Sequence, residues 1–164
     1  MHKLDILFIN PGNAQGIYQD LAKDYSAIEP PTWALLLAES VRNKGYKTAI
    51  FDINAERISN EESIERINAG TVGMSGAVSL SNLIKEKGIN NPLSYIGSYI
   101  QALPIKCLED EPSIDFGFTN EGLYSILNVL KEENIDINNM DHIKGIVWRK
   151  DGIPVMNSSE KLVN

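Results

Sequence analysis

Strand-like runs alternate with amphipathic stretches along most of the chain. The five runs lie at residues 4–9, 47–54, 71–76, 93–99 and 113–120. The first is apolar almost throughout, which is typical of a strand buried on both faces of a parallel sheet. Between the runs, apolar residues recur at helical spacing, most clearly at Leu123, Ile126, Leu127 and Leu130. Alternating strands and helices predict an α/β fold.

The order of these elements predicts one architecture. We expect a flavodoxin-like (Rossmann-like) open sheet of five parallel strands in the order 2-1-3-4-5, with right-handed crossovers. The end of the chain differs, because IKGIVWRKDGIPVMN contains two strand-like runs around Asp151-Gly152, a strong hairpin signal. The expected organisation is therefore an α/β domain over residues 1–141, followed by a C-terminal β-hairpin and linker over residues 142–164.

Local signals predict where several helices begin. Thr32 is expected to cap the first helix, and Asn120 the last and most regular one. Ser59 and Glu62 have the spacing of a capping box. The first and third signals place helices between expected strands, and the Asn120 signal places one after the fifth strand.

The first connection is unusually long. The apolar run ends in FINPGNAQG, and a helical pattern resumes only after IEPP at residues 28–31. Connections in compact α/β units usually have about 2–6 residues. Open α/β sheets bind ligands outside the carboxyl ends of their strands. The long loop therefore indicates a ligand site at that edge of the sheet.

Four of the expected strands end in small or polar residues. The segments are NPGN at residues 10–13, SGA at 75–77, GSY at 97–99 and NEG at 120–122. Glycine there lets backbone amides approach a ligand closely. Turns also use Gly, Asn and Ser for their own reasons, so a single strand end means little. Four such ends on one edge of the sheet, beside an overlong loop, are equally compatible with a ligand site and with ordinary turns.

Composition narrows the functional classes. The chain has 164 residues, about one domain. Its net charge of −7 argues against a nucleic-acid surface. Neither a membrane-spanning run nor a signal peptide is recognisable, so we expect a cytoplasmic protein with no membrane partner. The single cysteine, Cys107, cannot by itself supply an iron–sulfur cluster or a cysteine-based metal site.

Common cofactor motifs and catalytic pairs are not recognisable. The G-x-G-x-x-G fingerprint and the phosphate-binding P-loop are both missing from the sequence. No nucleophile lies beside an evident base, and we predict no catalytic residue and no metal ligand. Trp33 and Trp148 are candidate ligand platforms, although a tryptophan at helical spacing with leucines is more typical of a core.

Segments along nearly the whole chain resemble one family in order and spacing. They are DILFINP, EPPTWALLLAESVRNKGYKTAIFDIN, TVGMSG, YIGSYIQALPIKCLEDEPSIDFGFTNEG and IKGIVWRKDGIPVMN. Together they resemble the N-terminal cobalamin-binding domain of the cobalamin-dependent radical S-adenosylmethionine (radical SAM) enzymes. No single segment is specific alone.

The resemblance implies a cobalamin-binding module of a methyltransferase-type radical SAM enzyme. Residues 10–13 and 75–77 would line a crevice for the nucleotide tail, residues 97–98 would lie close to that tail, and residues 120–122 nearer the corrin ring. The implied cofactor-binding residues are Asn10, Pro11, Gly12, Asn13, Ser75, Gly76, Ala77, Gly97, Ser98, Asn120, Glu121 and Gly122. The first loop has no histidine, so cobalt is expected to receive no histidine ligand from it.

The sequence also departs from that family. Ser98 replaces a glycine, the segment between VGMSG and YIGS is short, and the family's C-x-x-x-C-x-x-C motif is missing. The chain alone is therefore not expected to be catalytic, and a radical SAM domain or subunit outside it is the expected partner. The alternative is a degenerate flavodoxin-like domain that no longer binds cobalamin and acts as an interaction or scaffold domain. The short segment favours this alternative, and the long first loop disfavours it.

Overall fold

A single mixed sheet organises the computed structural model, which describes residues 4–11, 30–67, 73–74 and 78–162. Its strands are β1 (Ile6–Asn10), β2 (Thr48–Asp52), β3 (Gly73–Met74), β4 (Leu93–Tyr95), β5 (Phe116–Phe118), β6 (Ile146–Lys150) and β7 (Ile153–Met156). They pair in the order β2-β1-β3-β4-β5-β6-β7. Pairing is parallel from β2 to β5 and antiparallel from β5 to β7.

The predicted α/β class is confirmed, and the expected form of the sheet needs a correction. The sequence predicted a purely parallel five-stranded sheet with a separate hairpin. In the structure the β6–β7 hairpin pairs with β5, so that the sheet is mixed and has seven strands among the described residues. The reason is a long-range antiparallel pairing, in which Gly117 lies opposite Val147, and local sequence patterns carry no signal for it.

Helices cover both faces of the sheet. They are α1 (Thr32–Arg42), α2 (Ile53–Glu56), α3 (Asn60–Ile67), α4 (Val78–Glu86), α5 (Ser98–Ala102), α6 (Pro104–Asp110) and α7 (Leu123–Leu130). The capping box is confirmed, because the Glu62 backbone N–H donates to Ser59 Oγ at 3.1 Å and the Ser59 N–H donates to Glu62 Oε2 at 2.9 Å. None of the described helices combines the length and apolar character needed to cross a bilayer.

Two expected caps are wrong. Thr32 is the first residue of α1, and the cap position is Pro31. The cap position of α7 is Gly122, which has a left-handed φ of 85°. Asn120 instead orders the turn before that helix, where its Oδ1 accepts a hydrogen bond from the Gly122 N–H at 2.9 Å. An Asx-type turn thus replaces the side-chain cap.

The alternation of side chains along β1 divides the core into two layers. Ile6 and Phe8 face α1 and α7, in a cluster that also contains Trp148. Leu7 and Ile9 face the opposite side, where they join residues of α3 and α4. A third cluster joins α5 and α6 to the hairpin. Since β1 is buried on both faces, its carboxyl end meets solvent only at the edge of the sheet.

Candidate functional site

A cavity of about 290 Å³ lies at the carboxyl end of β1. Its walls come from three segments distant in sequence: the end of β1, the start of α1 and the residue after β4. The lining residues are Phe8, Ile9, Asn10, Pro11, Pro31, Thr32, Trp33, Ala34, Leu37 and Ile96. β1 pairs with β2 on one side and β3 on the other, so the cavity lies where the order of the strands reverses. Open α/β sheets bind ligands at this position.

Asn10 is the principal polar side chain in an otherwise mainly apolar wall. Its Nδ2 donates a hydrogen bond to Asp52 Oδ1 at 2.9 Å, which joins the carboxyl ends of β1 and β2. The same carboxylate oxygen accepts from the Ala55 N–H at 3.0 Å and so caps α2. The amide of Asn10 is therefore held in a fixed orientation at the cavity.

Trp33 lies in the first turn of α1, at the edge of this cavity. Leu37 and Val41 form the buried face of the helix, whereas 49% of Trp33 is exposed. Side chains in a helix tilt toward its N-terminus, and α1 begins at the carboxyl edge of the sheet. The indole is consequently carried to the rim. Trp148, by contrast, is fully buried in the core.

The turn after β4 forms one wall of the cavity and leaves a stretch of backbone accessible beside it. Ile96 lines the cavity. Gly97 has a φ of 139°, and a Cβ built on it would meet nothing within 4 Å. Ser98 follows as the exposed first residue of α5. The backbone at Gly97 is therefore accessible beside the cavity, and the conformation there favours glycine.

The turn after β5 is built for structural contacts. The carbonyl oxygen of Asn120 accepts from Gln101 Nε2 at 2.7 Å, and its Nδ2 donates to the Glu160 carbonyl oxygen at 3.3 Å. Gly122 is buried, and Ile96 Cδ1 would lie 2.2 Å from a Cβ built on it. Within this turn, Gly122 lies directly against Ile96, on the side of that residue away from the cavity it lines.

Residues 157–162, here called the C-terminal strap, pack against this turn. Asn128 Nδ2 donates to Glu160 Oε2 at 2.7 Å, and the Gly145 N–H donates to the Ser158 carbonyl oxygen at 2.8 Å. Lys161 Nζ lies 4.5 Å from the centre of the Tyr124 ring. Sequence reasoning missed the strap, because its contacts are long-range and its composition has no periodic pattern.

The structure places the sequence-predicted site residues in three groups. Asn10 and Pro11 line the cavity. Gly97, Ser98 and residues 120–122 lie at the same edge of the sheet but outside the lining. Gly12, Asn13 and residues 75–77 lie outside the described residues. Ligand binding by all twelve stays a prediction.

Several lining residues were missed by sequence reasoning. They are Phe8, Ile9, Pro31, Thr32, Ala34, Leu37 and Ile96. A usable signal existed for Pro31 and Thr32, because they follow the overlong loop and begin the helix at the same edge of the sheet. The others are apolar residues that sequence patterns assign equally well to a core.

The titratable groups outside the cavity offer little chemistry. Burial raises the pKa of the Cys107 thiol, and the charges of Glu111 and Asp110 raise it further, whereas Arg149 opposes the shift. A fully buried, protonated thiol is a poor nucleophile. His142 Nε2 lies 3.1 Å from Glu132 Oε1 in an exposed pair. Within the ranges that the structure describes, no group of three or more His, Cys, Asp or Glu residues is placed to hold a metal ion.

The fold has clear counterparts among solved structures. The cobalamin-dependent S-adenosylmethionine radical enzyme OxsB, with aqua-cobalamin and S-adenosylmethionine bound, superposes with a TM-score of 0.73 at 14% identity. The match covers 98% of this chain and 23% of OxsB. The radical S-adenosylmethionine methyltransferase TsrM from Kitasatospora setae, with cobalamin and a 4Fe-4S cluster bound, gives a TM-score of 0.71 at 14% identity. That match covers the whole of this chain and 30% of TsrM.

These similarities concern the fold. No protein-family model and no curated protein matches the sequence. The chain spans less than a third of the length of either enzyme, and the identity is low. The structural part of the resemblance found in the sequence is nevertheless confirmed. The chain shares the fold of one segment of OxsB and of one segment of TsrM.

Proposed function

We propose that this chain is a cobalamin-binding module that presents the cofactor to a radical SAM domain or subunit. The observation that supports the proposal most strongly is the cavity at the carboxyl end of β1. It lies at the ligand-binding position of open α/β sheets, in a fold shared with two enzymes whose structures contain cobalamin.

The residues present are compatible with part of a cobalamin molecule. Ligand sites usually enclose about 300–1,000 Å³. A cavity of about 290 Å³ is at the lower limit, so it would enclose one ring of a large cofactor. Its mainly apolar wall suits the flat surface of such a ring. The accessible backbone at Gly97 offers room beside it for the rest of the molecule.

The site residues named from the sequence would contact two parts of cobalamin, the nucleotide tail and the corrin ring. Asn10 and Pro11, together with Gly12, Asn13 and residues 75–77, would line the crevice for the nucleotide tail. Gly97 and Ser98 would lie close to that tail. Residues 120–122 would act nearer the corrin, chiefly by holding Ile96 in place. All of these residues bind or position the ligand.

Bound cobalamin would supply a transferable methyl group, and the chain itself would hold and orient the cofactor. The first loop contains no histidine, so we propose that it gives cobalt no histidine ligand. Cysteines for an iron–sulfur cluster would have to come from outside these 164 residues, since the chain has one cysteine. This requirement supports a radical SAM domain or subunit as the partner.

An absorbance titration tests the proposal. Purified chain is mixed with hydroxocobalamin or methylcobalamin and then desalted. We expect colour to remain with the protein at one equivalent, and the spectrum to report whether any histidine has reached cobalt. If no colour is retained at micromolar concentrations, the proposal is wrong, and the alternative of a cofactor-free interaction domain becomes the better explanation.

A matched pair of variants locates the binding site. Ala34→Leu adds volume inside the cavity and should lower cobalamin retention. Ala102→Leu makes the same change at an exposed position on α5, outside the cavity, and should leave retention unchanged. Thermal unfolding of both variants separates loss of the site from loss of the fold. Equal retention by the two variants would contradict binding in this cavity.

A further inference from the structure

Trp33 combines two features that no other residue among the described ones combines. It is a large, half-exposed apolar side chain, and it lines the cavity. The other exposed large apolar residues, such as Leu36, Tyr99 and Leu103, lie outside that lining. An exposed tryptophan leaves a large apolar surface in water, and a ligand that covers the ring would remove that surface.

The placement of Trp33 also limits what can cover it. The indole stands in the first turn of α1, above a pocket that accommodates one ring. Pro11 and Pro31 are rigid neighbours in the same wall. A rigid, flat aromatic surface at the mouth of a small apolar cavity best recognises another flat conjugated ring, in the way that aromatic side chains stack on nucleic-acid bases.

We infer that Trp33 is a stacking platform for a flat, conjugated, nitrogen-containing ring of the ligand. The inference rests on the proposed function, and within cobalamin two groups have this chemistry: the corrin macrocycle and the benzimidazole of the nucleotide tail. Trp33 binds and orients the ring and takes no part in chemistry.

Binding measurements with hydroxocobalamin test the platform. Aromatic stacking on a base corresponds to a change of roughly 5- to 150-fold in affinity when the aromatic residue is replaced by alanine. Trp33→Ala should therefore weaken binding by about tenfold or more, whereas Trp33→Phe should retain most of the affinity. Leu36→Ala is the matched control, because Leu36 is 55% exposed on the same helix but lies outside the cavity.

A spectroscopic measurement separates stacking from an indirect structural effect. The chain contains two tryptophans, so a sample labelled with 5-fluorotryptophan should give two fluorine resonances. Trp33→Phe assigns them by removing one. Hydroxocobalamin should shift the Trp33 resonance, because a stacked ring replaces water against that indole. The Trp148 resonance should move little, because that indole is fully buried and donates to Asn157 Oδ1 at 3.0 Å.

The two ring sources are separated with cobinamide, which has the corrin but lacks the nucleotide tail. If Trp33→Ala weakens both ligands equally, the stacked ring is the corrin. If it weakens only hydroxocobalamin, the stacked ring is the benzimidazole. The inference that Trp33 stacks on the ligand is wrong if Trp33→Ala binds hydroxocobalamin as well as the wild-type chain does and the Trp33 resonance of the wild type does not shift. A wild-type chain that retains no cobalamin refutes the proposed function itself, and the two failures are thereby distinguished.

Discussion

The δ1 methyl group of Ile96 occupies the place where a side chain on Gly122 would begin. A Cβ built on Gly122 would lie 2.2 Å from that methyl carbon. Ile96 follows β4 and lines the cavity, and Gly122 precedes α7. The absence of a side chain at Gly122 therefore determines where one wall of the cavity stands. The turn after β5 acts on the site through this contact.

Gly122→Ala should destabilise the fold and disturb the cavity. The φ of 85° is unfavourable for alanine by about 1–2 kcal/mol, and the end of the Ile96 side chain must also move away from the new Cβ, which adds a smaller cost. Gly45→Ala is the matched control, because Gly45 has a similar φ of 93° but a Cβ built on it would meet nothing within 4 Å. Urea unfolding should therefore show a larger loss for Gly122→Ala than for Gly45→Ala.

Shortening the side chain at residue 96 should reverse part of that loss. In an Ile96→Ala background the clash is relieved, so Gly122→Ala should cost only its backbone term. A double-mutant cycle measures this coupling. Additive effects of the two substitutions would mean that the contact is not the cause.

The hairpin provides a second prediction, through Asn157. Its Oδ1 accepts from the Trp148 Nε1–H at 3.0 Å, and its Nδ2 donates to the carbonyl oxygens of Met140 at 2.6 Å and Ile143 at 2.7 Å. Asn157→Ala would leave the buried indole N–H without its partner. Such a loss costs about 1–3 kcal/mol for each buried group. Urea unfolding monitored by tryptophan fluorescence measures it.

The same variant tests how the hairpin belongs to the fold. If residues 142–164 unfold together with the α/β part, Asn157→Ala should shift a single cooperative transition. Asn134→Ala, at an exposed position, should change the midpoint little. A separate early transition that affects only the Trp148 signal would indicate that the hairpin is an independent unit.

These contacts show why the sequence predicts the helices and strands better than it predicts the residues of the cavity. The strands, the capping box and the periodicity of α7 are each defined by residues only a few positions apart in the sequence. The sequence could not predict which of Trp33 and Trp148 is buried, because both have apolar neighbours along the chain. Only tertiary packing leaves Trp33 half exposed at the rim and buries Trp148 completely.

The misassigned role of Asn120 has the same physical origin. Asparagine before a regular helix is a common cap, and the sequence offered no competitor. In the structure its amide instead donates to the carbonyl oxygen of Glu160, forty residues further along the chain. Hydrogen bonds over that separation leave no trace in local composition. The cavity is likewise built from three segments that only the sheet brings together.

Arg149 supports a third prediction. Its guanidinium donates to the carbonyl oxygens of Leu108, Glu111 and Ile114, and so holds the end of α6 against β6. A lysine has one compact charged group and cannot reproduce this fork. Arg149→Lys should therefore lower the free energy of unfolding by about 1–3 kcal/mol, since buried carbonyl groups lose their donors.

Arg42→Lys is the control for this prediction. Arg42 forms an exposed pair with Glu39 at 2.8 Å, and exposed pairs contribute about 0–1 kcal/mol. Chemical unfolding of the two variants should consequently separate them clearly. Equal and small effects would show that the carbonyl contacts of Arg149 add little to stability.

The last prediction concerns the pH dependence of the C-terminal strap. The Lys161 backbone N–H donates to Glu160 Oε1 at 2.9 Å and holds the pKa of the Glu160 carboxyl below its usual range. The Asn128 amide and the charges of Lys144 and Lys161 lower this pKa further, whereas partial desolvation opposes the shift. A lowered folded pKa means that the stabilisation is fully present above the unfolded pKa of about 4.3. It is lost as the pH falls through the folded pKa.

Glu160→Gln removes this titration while keeping a side chain of the same shape. The melting temperature of the wild type should exceed that of the variant at pH 7, and the difference should shrink below pH of about 4.3. The protection factor of the Gly145 amide, whose N–H donates to Ser158 in the strap, should fall over the same range in the wild type once exchange is corrected for its intrinsic rate at each pH. Glu133→Gln, at an exposed position away from the strap contacts, is the control. A difference that stays constant with pH would mean that the charge of Glu160 does not hold the strap.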